Sequence, residues 1–299
     1  ANFLVYLLTD EAEPTKAWGE KKQKIRIFLL TSPRKGCKIR GIEASPRQRL
    51  PAPCGDGSAE RKRITMAQKQ IDWSNLGFGY IKTDKRFVAT YKDGKWNEGE
   101  LVEDETIVLH ESACVLQYAQ TVFEGLKAYR TKDGEIVCFR PDLNAARMAE
   151  SCRRMQMPVF PEDKFVEAVI EVVRANAQWV PPFGSGASLY LRPFMFGNDE
   201  SLGVHAVHNA TYVIIASPVG SYYAEGINPV SIMIETEDVR AVRGGTGYAK
   251  CGGNYAASTR AGERANKKGY SQVLWLDGVE RKYIEEVGAM NVMFKIDGE

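Results

Sequence analysis

Two Asp-Gly turns, each set between strand-like sequences, constrain the fold of this chain more than any other feature. Asp93-Gly94 joins two such runs within 87–96, and Asp133-Gly134 joins two more within 126–140. An Asp-Gly pair between runs of this kind is typical of a β-hairpin, because both turn residues tolerate positive φ. This part of the chain is therefore predicted to contain an antiparallel sheet.

The sequence after the second hairpin changes to a helical period. Apolar residues recur at three- and four-residue spacing, which predicts one helix over 141–155 and another over 161–177. Strand-like runs follow at 188–192 and 211–217, with Pro193 and Pro218 close behind them. Together these segments predict a small α/β domain, bounded at about 66–222.

A second α/β region is predicted to begin near residue 223. Its expected strands are 230–235, 272–276, 283–286 and 291–296. Between the first two, Asn254 is a candidate N-cap for a helix that ends near Lys268, and Gly269 suits the left-handed residue that follows a helix. Residues 223–299 therefore look like the start of a larger domain, and the fold class is α/β.

Residues 1–65 differ from the rest in charge and in pattern. They carry 14 Lys/Arg against 7 Asp/Glu, contain several prolines in basic surroundings, and show no sustained periodicity. The chain starts with Ala, and Met66 is a natural start, so this segment is interpreted as a disordered or non-native extension. A transit peptide is the sharper alternative, but acidic residues such as Asp10 and Glu11 argue against it.

Composition excludes several classes of function for the remainder of the chain. It carries 26 Lys/Arg against 31 Asp/Glu, and this acidic balance disfavours nucleic acid as a partner. Six cysteines and three histidines show no metal-ligand spacing, so no metal is expected. The apolar runs are far shorter than the ~20 residues that a membrane-spanning helix needs. A cytoplasmic protein with reduced thiols is expected.

The most unusual segment is 243–255, in which five glycines surround Lys250. A Walker A phosphate loop needs Gly before the Lys and Ser or Thr after it, whereas Ala249 and Cys251 occupy those positions. A buried, uncharged lysine that attacks a carbonyl is a second interpretation. A solvated lysine in a flexible loop is a third, and the loop alone does not decide between these two.

Several motifs decide it together, because they resemble one family and occur in its order. They are Tyr118-Ala-Gln-Thr-Val-Phe-Glu-Gly125, Phe139-Arg-Pro-Asp-Leu-Asn144 with Arg147, Leu189-Tyr-Leu-Arg-Pro193, Gly197-Asn198, Pro218-Val-Gly-Ser-Tyr222, Gly247-Tyr-Ala-Lys-Cys-Gly-Gly-Asn-Tyr255 and Glu285-Glu-Val-Gly-Ala-Met-Asn291. The chain from about Lys69 to its end resembles the branched-chain-amino-acid aminotransferases, which are fold-type IV pyridoxal-phosphate enzymes.

This resemblance implies a cofactor, pyridoxal 5'-phosphate, and four residues that bind it. Lys250 matches the lysine that holds the cofactor as a Schiff base and moves the substrate proton. Glu286 matches the carboxylate that keeps the pyridine nitrogen protonated. Arg147 matches the arginine that binds the phosphate, and Tyr255 the tyrosine that bonds the phenolic oxygen.

The resemblance also implies a substrate pocket and a reaction. The positions that match residues around the substrate are Phe78, Tyr118, Phe123, Tyr190, Arg192 and Tyr222. The implied reaction is transamination of leucine, isoleucine or valine with 2-oxoglutarate, and Arg192 is a candidate contact for the second carboxylate of glutamate. Alternatives are a D-amino-acid aminotransferase or aminodeoxychorismate lyase of the same fold, and an inactive truncated fragment.

Two departures from the family qualify these expectations. The chain stops soon after Asn291, whereas the family continues with the rest of the large domain, so weak or no activity is expected of the 299-residue chain. Some relatives carry threonine where this chain has Ala289, and a hydroxyl contact from that position is absent. A homodimer is expected of the full-length protein.

Overall fold

The computed structural model describes the backbone of residues 4–8 and 26–30, and residues 71–220, 229–288 and 290–294. The strands are β1 (Leu4–Leu8), β2 (Arg26–Leu30), β3 (Arg86–Lys92), β4 (Lys95–Trp96), β5 (Glu100–Val102), β6 (Thr121–Phe123), β7 (Leu126–Arg130), β8 (Ile136–Cys138), β9 (Ser188–Gly197), β10 (Ala210–Val219), β11 (Val230–Ile234), β12 (Gln272–Leu276) and β13 (Ile284–Val287). The α-helices are α1 (Cys114–Tyr118), α2 (Pro141–Arg154), α3 (Glu162–Ala175) and α4 (Gly252–Lys267). Short 3₁₀ helices cover Trp73–Asn75 and Ala177–Trp179.

The strands from β3 to β10 form one antiparallel sheet. Its order is β4-β3-β10-β9-β7-β8, with β5 added beside β3 and β6 beside β9. Both predicted hairpins are confirmed, as β3–β4 and β7–β8. Asp93 and Gly94 have φ values of 53° and 79°. Positive φ at both central residues is the backbone conformation for which an Asp-Gly turn is favoured.

β9 and β10 are longer than the sequence pattern predicts, because both continue through a proline. Pro193 pairs with Ile214 of β10 and lies inside β9. On the other side of β9, β7 pairs with 189–191 and β6 with 194–196. Pro193 falls between these two pairings, where a missing N–H costs no ladder hydrogen bond, so a central strand accommodates it.

The helices predicted at 141–155 and 161–177 are confirmed as α2 and α3, and they cover the sheet. The apolar face of α3 includes Phe165 and Val169, which are 1% and 0% exposed. Phe165 packs near the fully buried Tyr212 of β10, whose ring stacks on Phe160 at 4.1 Å between centroids. This cluster holds the helices against β3, β9 and β10, and it forms the main core.

The second sheet has five strands in the order β1-β2-β11-β12-β13. β11 and β12 are parallel and are joined by α4, which packs on β12 beside the buried Trp275. The α/β fold class is confirmed. β1 and β2 come from the extension that was expected to lack regular structure, and β2 pairs with β11. The short runs 4–8 and 26–30 are rich in β-forming apolar residues, which explains strands there.

Two local predictions in the second region are wrong. The N-cap of α4 is Cys251, and Asn254 lies inside the first turn of the helix. Residues 291–294 form no strand, and 295–299 lie outside the described residues. Gly269 follows α4 with φ of 77°, as its position after the helix predicts.

The same described ranges were searched for membrane spans and metal sites. None of their helices is long and apolar enough to cross a membrane. They contain no group of three or more His, Cys, Asp or Glu side chains placed to hold a metal ion.

Candidate active site

Lys250 lies where the glycine-rich segment reaches the main sheet. Its backbone N–H donates to Ser151 Oγ of α2 at 3.0 Å, and its carbonyl accepts from Phe123 N of β6 at 3.0 Å. A β-bridge between Val122 and Cys251 extends this contact. The lysine is therefore fixed on both sides by main-chain bonds, directly before the N-terminus of α4.

The amine of Lys250 is enclosed by two aromatic rings. Its Nζ donates to Tyr255 Oη at 2.8 Å and lies 4.4 Å from the centre of the Phe123 ring. The Phe123 and Tyr255 rings meet edge to face, with centroids 4.7 Å apart. Both rings are partly buried, and so is Lys250. The structure thus excludes a lysine that is simply solvated, and it places a phenol within proton-transfer distance of the amine.

Asn254 connects the glycine-rich segment to α4. Its Nδ2 donates to the carbonyls of Thr246 and Ala249 at 2.7 and 2.8 Å, and its Oδ1 accepts from Thr246 Oγ1 at 2.7 Å. Asn254 is 8% exposed. These bonds satisfy backbone oxygens directly before Lys250, so the side chain shapes the segment that carries the lysine.

Replacement of Asn254 by alanine is expected to lower the free energy of unfolding by about 1–3 kcal/mol, because buried carbonyls lose their donors. Urea denaturation measures the change. Asn266→Ala is the matched control, since Asn266 lies on the same helix and is exposed. Equal effects of the two substitutions would contradict a specific role for Asn254.

Glu286 and Arg240 form an ion pair beside Lys250. Arg240 Nε lies 2.5 Å from Glu286 Oε2, and the side chains are 9% and 33% exposed. Burial raises the pKa of the Glu286 carboxyl, while Arg240 and then Lys250 lower it, and the net direction is upward. Glu285 is exposed, as expected from strand alternation. The charge of Glu286 therefore depends on the two cations around it.

Replacement of Arg240 by alanine is expected to raise the pKa of Glu286 further. A carboxyl with a raised pKa in the folded state favours its protonated form there, so folding stability is lost as pH rises above about 4.3, the unfolded value, through the folded pKa. The variant should lose stability more steeply over that window than the unaltered chain. Thermal melting against pH measures this, and adding Glu286→Gln should flatten the profile. A profile unchanged by Arg240→Ala would contradict the coupling.

Arg147 is held by a carboxylate that the sequence interpretation missed. Its Nε and Nη2 donate to the two oxygens of Glu124 at 2.6 and 2.7 Å. Glu124 is fully buried, whereas 54% of the Arg147 side chain is exposed. Hydrogen bonds to Glu124 and, more weakly, the phenol of Tyr255 raise the pKa of the guanidinium. Arg147 therefore lies close enough to Tyr255 to interact with it.

The expected substrate residues fall into three groups. Phe123, Tyr190 and Arg192 lie together: the Arg192 Cζ is 4.9 Å from the Phe123 ring centre, and its Nη2 donates to Tyr190 Oη at 2.9 Å. Phe78 joins them through an edge-to-face contact with Tyr190, at 5.1 Å between centroids. Tyr118 is placed elsewhere, with its hydroxyl donating to the Leu202 carbonyl. Tyr222 lies outside the described residues.

One glycine makes this aromatic cluster fit. A Cβ on Gly125 would lie 2.2 Å from Tyr190 Oη, so a side chain at this position would displace the tyrosine hydroxyl that receives Arg192. The sequence signal for this packing is the Phe-Glu-Gly run at 123–125. Its three residues contact, in turn, Lys250, Arg147 and Tyr190.

An open cleft of about 770 Å³ lies on the other side of Glu286. Arg154, Arg240, Arg243 and Tyr248 line it together with the glycine-rich segment. Its entrance gives the carboxylate of Glu286 a partly exposed side.

Comparison with known proteins agrees with this geometry. A sequence profile for amino-transferase class IV matches residues 121–299. Branched-chain-amino-acid transaminase 1 of Bacillus subtilis is 48% identical over 242 residues, which are 80% of this chain and 68% of that protein. The branched-chain-amino-acid aminotransferase of Haemophilus influenzae is 49% identical over 228 residues, covering 75% and 66%.

Solved structures give the same result at the level of fold. A branched-chain amino acid aminotransferase from T.th., solved with pyridoxamine 5'-phosphate, is 28% identical, has a TM-score of 0.55, and aligns with 69% of this chain and 63% of its own. The Escherichia coli enzyme aligns with a TM-score of 0.53 and 27% identity, over 69% and 61%. The chain thus spans about two thirds of the length of the relatives it matches. From its matched profile and from these relatives, the protein belongs to the amino-transferase class IV family.

Proposed function

We propose that this chain binds pyridoxal 5'-phosphate at Lys250 and carries part of the site for transamination of branched-chain amino acids with 2-oxoglutarate. The observation that carries the proposal is the amine of Lys250, fixed at both backbone ends and 2.8 Å from the Tyr255 hydroxyl. The relatives named as branched-chain aminotransferases, near half identical, support the reaction class.

The residues around Lys250 fit the cofactor by their chemistry. Pyridoxal phosphate presents an aldehyde, a phenolic oxygen, a ring nitrogen and a phosphate. An amine suits the first and a phenol the second, a carboxylate suits a protonated nitrogen, and a guanidinium suits a phosphate. Lys250, Tyr255, Glu286 and Arg147 supply this set, and electrostatic coupling links Lys250 to Glu286 and Arg147 to Tyr255.

When bound, the cofactor supplies an electron sink that stabilises negative charge at the substrate Cα. Lys250 would carry the proton to and from that carbon, and Tyr255 Oη would orient the amine and share its proton. Glu286 would supply the negative charge that keeps the ring nitrogen protonated. Arg240 keeps that carboxylate ionised against the cost of its burial.

The aromatic cluster supports a substrate with a branched aliphatic side chain. Phe78, Phe123 and Tyr190 form an apolar wall beside Lys250 that excludes water from such a side chain. Arg192, which lies between the Phe123 and Tyr190 rings, is the candidate for the second carboxylate of glutamate. The proposal includes the homodimer and the cytoplasmic location that the family resemblance implies.

Reduction with borohydride after addition of pyridoxal phosphate tests the cofactor site. We expect one covalent adduct, mapped by peptide mass spectrometry to Lys250. A substrate panel then tests the reaction: release of 2-oxo acid from leucine, isoleucine and valine, compared with D-alanine and aminodeoxychorismate. An adduct spread over exposed lysines would refute the cofactor site. A correct adduct with release from D-alanine alone would refute the branched-chain assignment.

A further inference from the structure

We infer that Glu124 is a positioning residue for the phosphate-binding arginine: its buried carboxylate orients Arg147 so that the guanidinium presents its free edge to the phosphate of the cofactor. The inference rests on the proposed function and adds a residue to it. Glu124 itself lies behind Arg147, with a side chain that is 0% exposed.

The hydrogen-bond pattern shows which edge of the guanidinium is used. Glu124 accepts from Nε and Nη2 of Arg147, one bond to each carboxylate oxygen. A guanidinium has five N–H bonds in a fixed plane, so this side-on pairing leaves three of them, including the pair on the Nη1–Nη2 end. That end remains able to form a second bidentate contact, and a phosphate is a ligand that matches it.

The carboxylate is in turn fixed by the residues around it. Asn144 Nδ2 donates to Glu124 Oε2 at 2.8 Å, and Gly125 N donates to the same oxygen at 3.3 Å. The Glu124 N–H donates to the Pro193 carbonyl at 2.7 Å, which anchors its backbone to β9. Asn144 and Arg147 are three residues apart on α2, so they share the helix face that meets Glu124. The arginine is long and half exposed, and this cage removes its rotamer freedom before a ligand arrives.

The neighbours of Glu124 connect this cage to the reactive lysine. Phe123, directly before it, contacts Lys250 Nζ, and Ser151, one helical turn after Arg147, accepts from Lys250 N. The same strand and the same helix thus position the amine and the guanidinium. A shift in Glu124 would change the distance between the two groups that bind opposite ends of one cofactor.

Comparison of pyridoxal phosphate with pyridoxal separates positioning from other roles, because only the first carries a phosphate. The full chain is titrated with each compound in the unaltered form and as Glu124→Gln and Glu124→Asp. The aspartate keeps the charge but is one methylene too short to reach both nitrogens, whereas the glutamine keeps the length and loses the charge. We expect both variants to bind pyridoxal phosphate about tenfold more weakly, the loss of one charge-assisted contact, and pyridoxal within about twofold.

Other roles give other patterns, and each would overturn the inference. A carboxylate that acted only as a nearby negative charge would give tighter pyridoxal phosphate binding in Glu124→Gln and no change in Glu124→Asp. A purely structural role would weaken both compounds equally. If the unaltered chain forms no adduct with either compound, the proposed function fails as well. Normal adduct formation with unchanged phosphate discrimination in the variants defeats the inference alone.

Two further variants keep the test decisive if Glu124 variants fold poorly. Asn144→Ala removes a donor to Glu124 without changing any charge, and it should reduce phosphate discrimination in the same direction by a smaller factor. Glu150→Gln is the control, since it removes the exposed pair with Arg153 on the same helix. Arg147→Ala should abolish the discrimination, and adding Glu124→Gln to it should then change nothing more. A further loss in the double variant would contradict action through Arg147.

Discussion

Lys250→Ala is expected to abolish covalent capture of pyridoxal phosphate, reducing the borohydride-trapped adduct to the background of exposed lysines. Lys250 supplies the amine that lies against both the Phe123 and the Tyr255 rings. Removal of this nucleophile therefore removes the covalent step rather than weakening it. Peptide mass spectrometry and the absorption spectrum of the cofactor measure the loss.

A matched control separates this effect from a general loss of lysines. Lys267→Ala removes an exposed lysine in the last turn of α4 and should leave the adduct unchanged. Non-covalent binding should survive in Lys250→Ala, because Arg147 and Glu286 remain. Identical cofactor spectra for the unaltered chain and for Lys250→Ala would show that the lysine has been assigned wrongly.

Arg147→Ala is expected to destabilise the fold by about 3–5 kcal/mol, because it leaves the buried carboxylate of Glu124 without its cation. The two partners are unequal: Glu124 is fully buried, whereas half of the Arg147 side chain is in solvent. Glu124→Gln should therefore cost less, since the arginine it leaves behind is able to hydrate. Chemical denaturation with urea measures both changes.

The double variant tests the reason for this asymmetry. Arg147→Ala together with Glu124→Gln should recover most of the stability lost in Arg147→Ala, because the remaining amide carries no charge. Asn144 Nδ2 and Gly125 N still bond to the group at this position. If instead the two losses simply add, the stranded charge is not the cause.

Local patterns in the sequence were sufficient for most of the secondary structure. The Asp-Gly hairpins and helices α2 and α3 depend on short-range conformational preferences and on apolar periodicity, which the residues themselves carry. The ends of β9 were missed, because whether Pro193 interrupts a strand depends on which neighbours pair beside it. Asn254 was misread as a helix cap, because its partners are carbonyls of a segment that folds back on it.

The sequence by itself determined the family and the identity of the lysine, since the motif around Lys250 and its companions occur in one order along the chain. Only the tertiary structure decided which side chains act together. Glu124 and Arg147 are 23 residues apart, and Lys250 and Ser151 are 99 apart. No local preference links residues at such separations. Their contacts depend on how β6, α2 and the glycine-rich segment pack against one another.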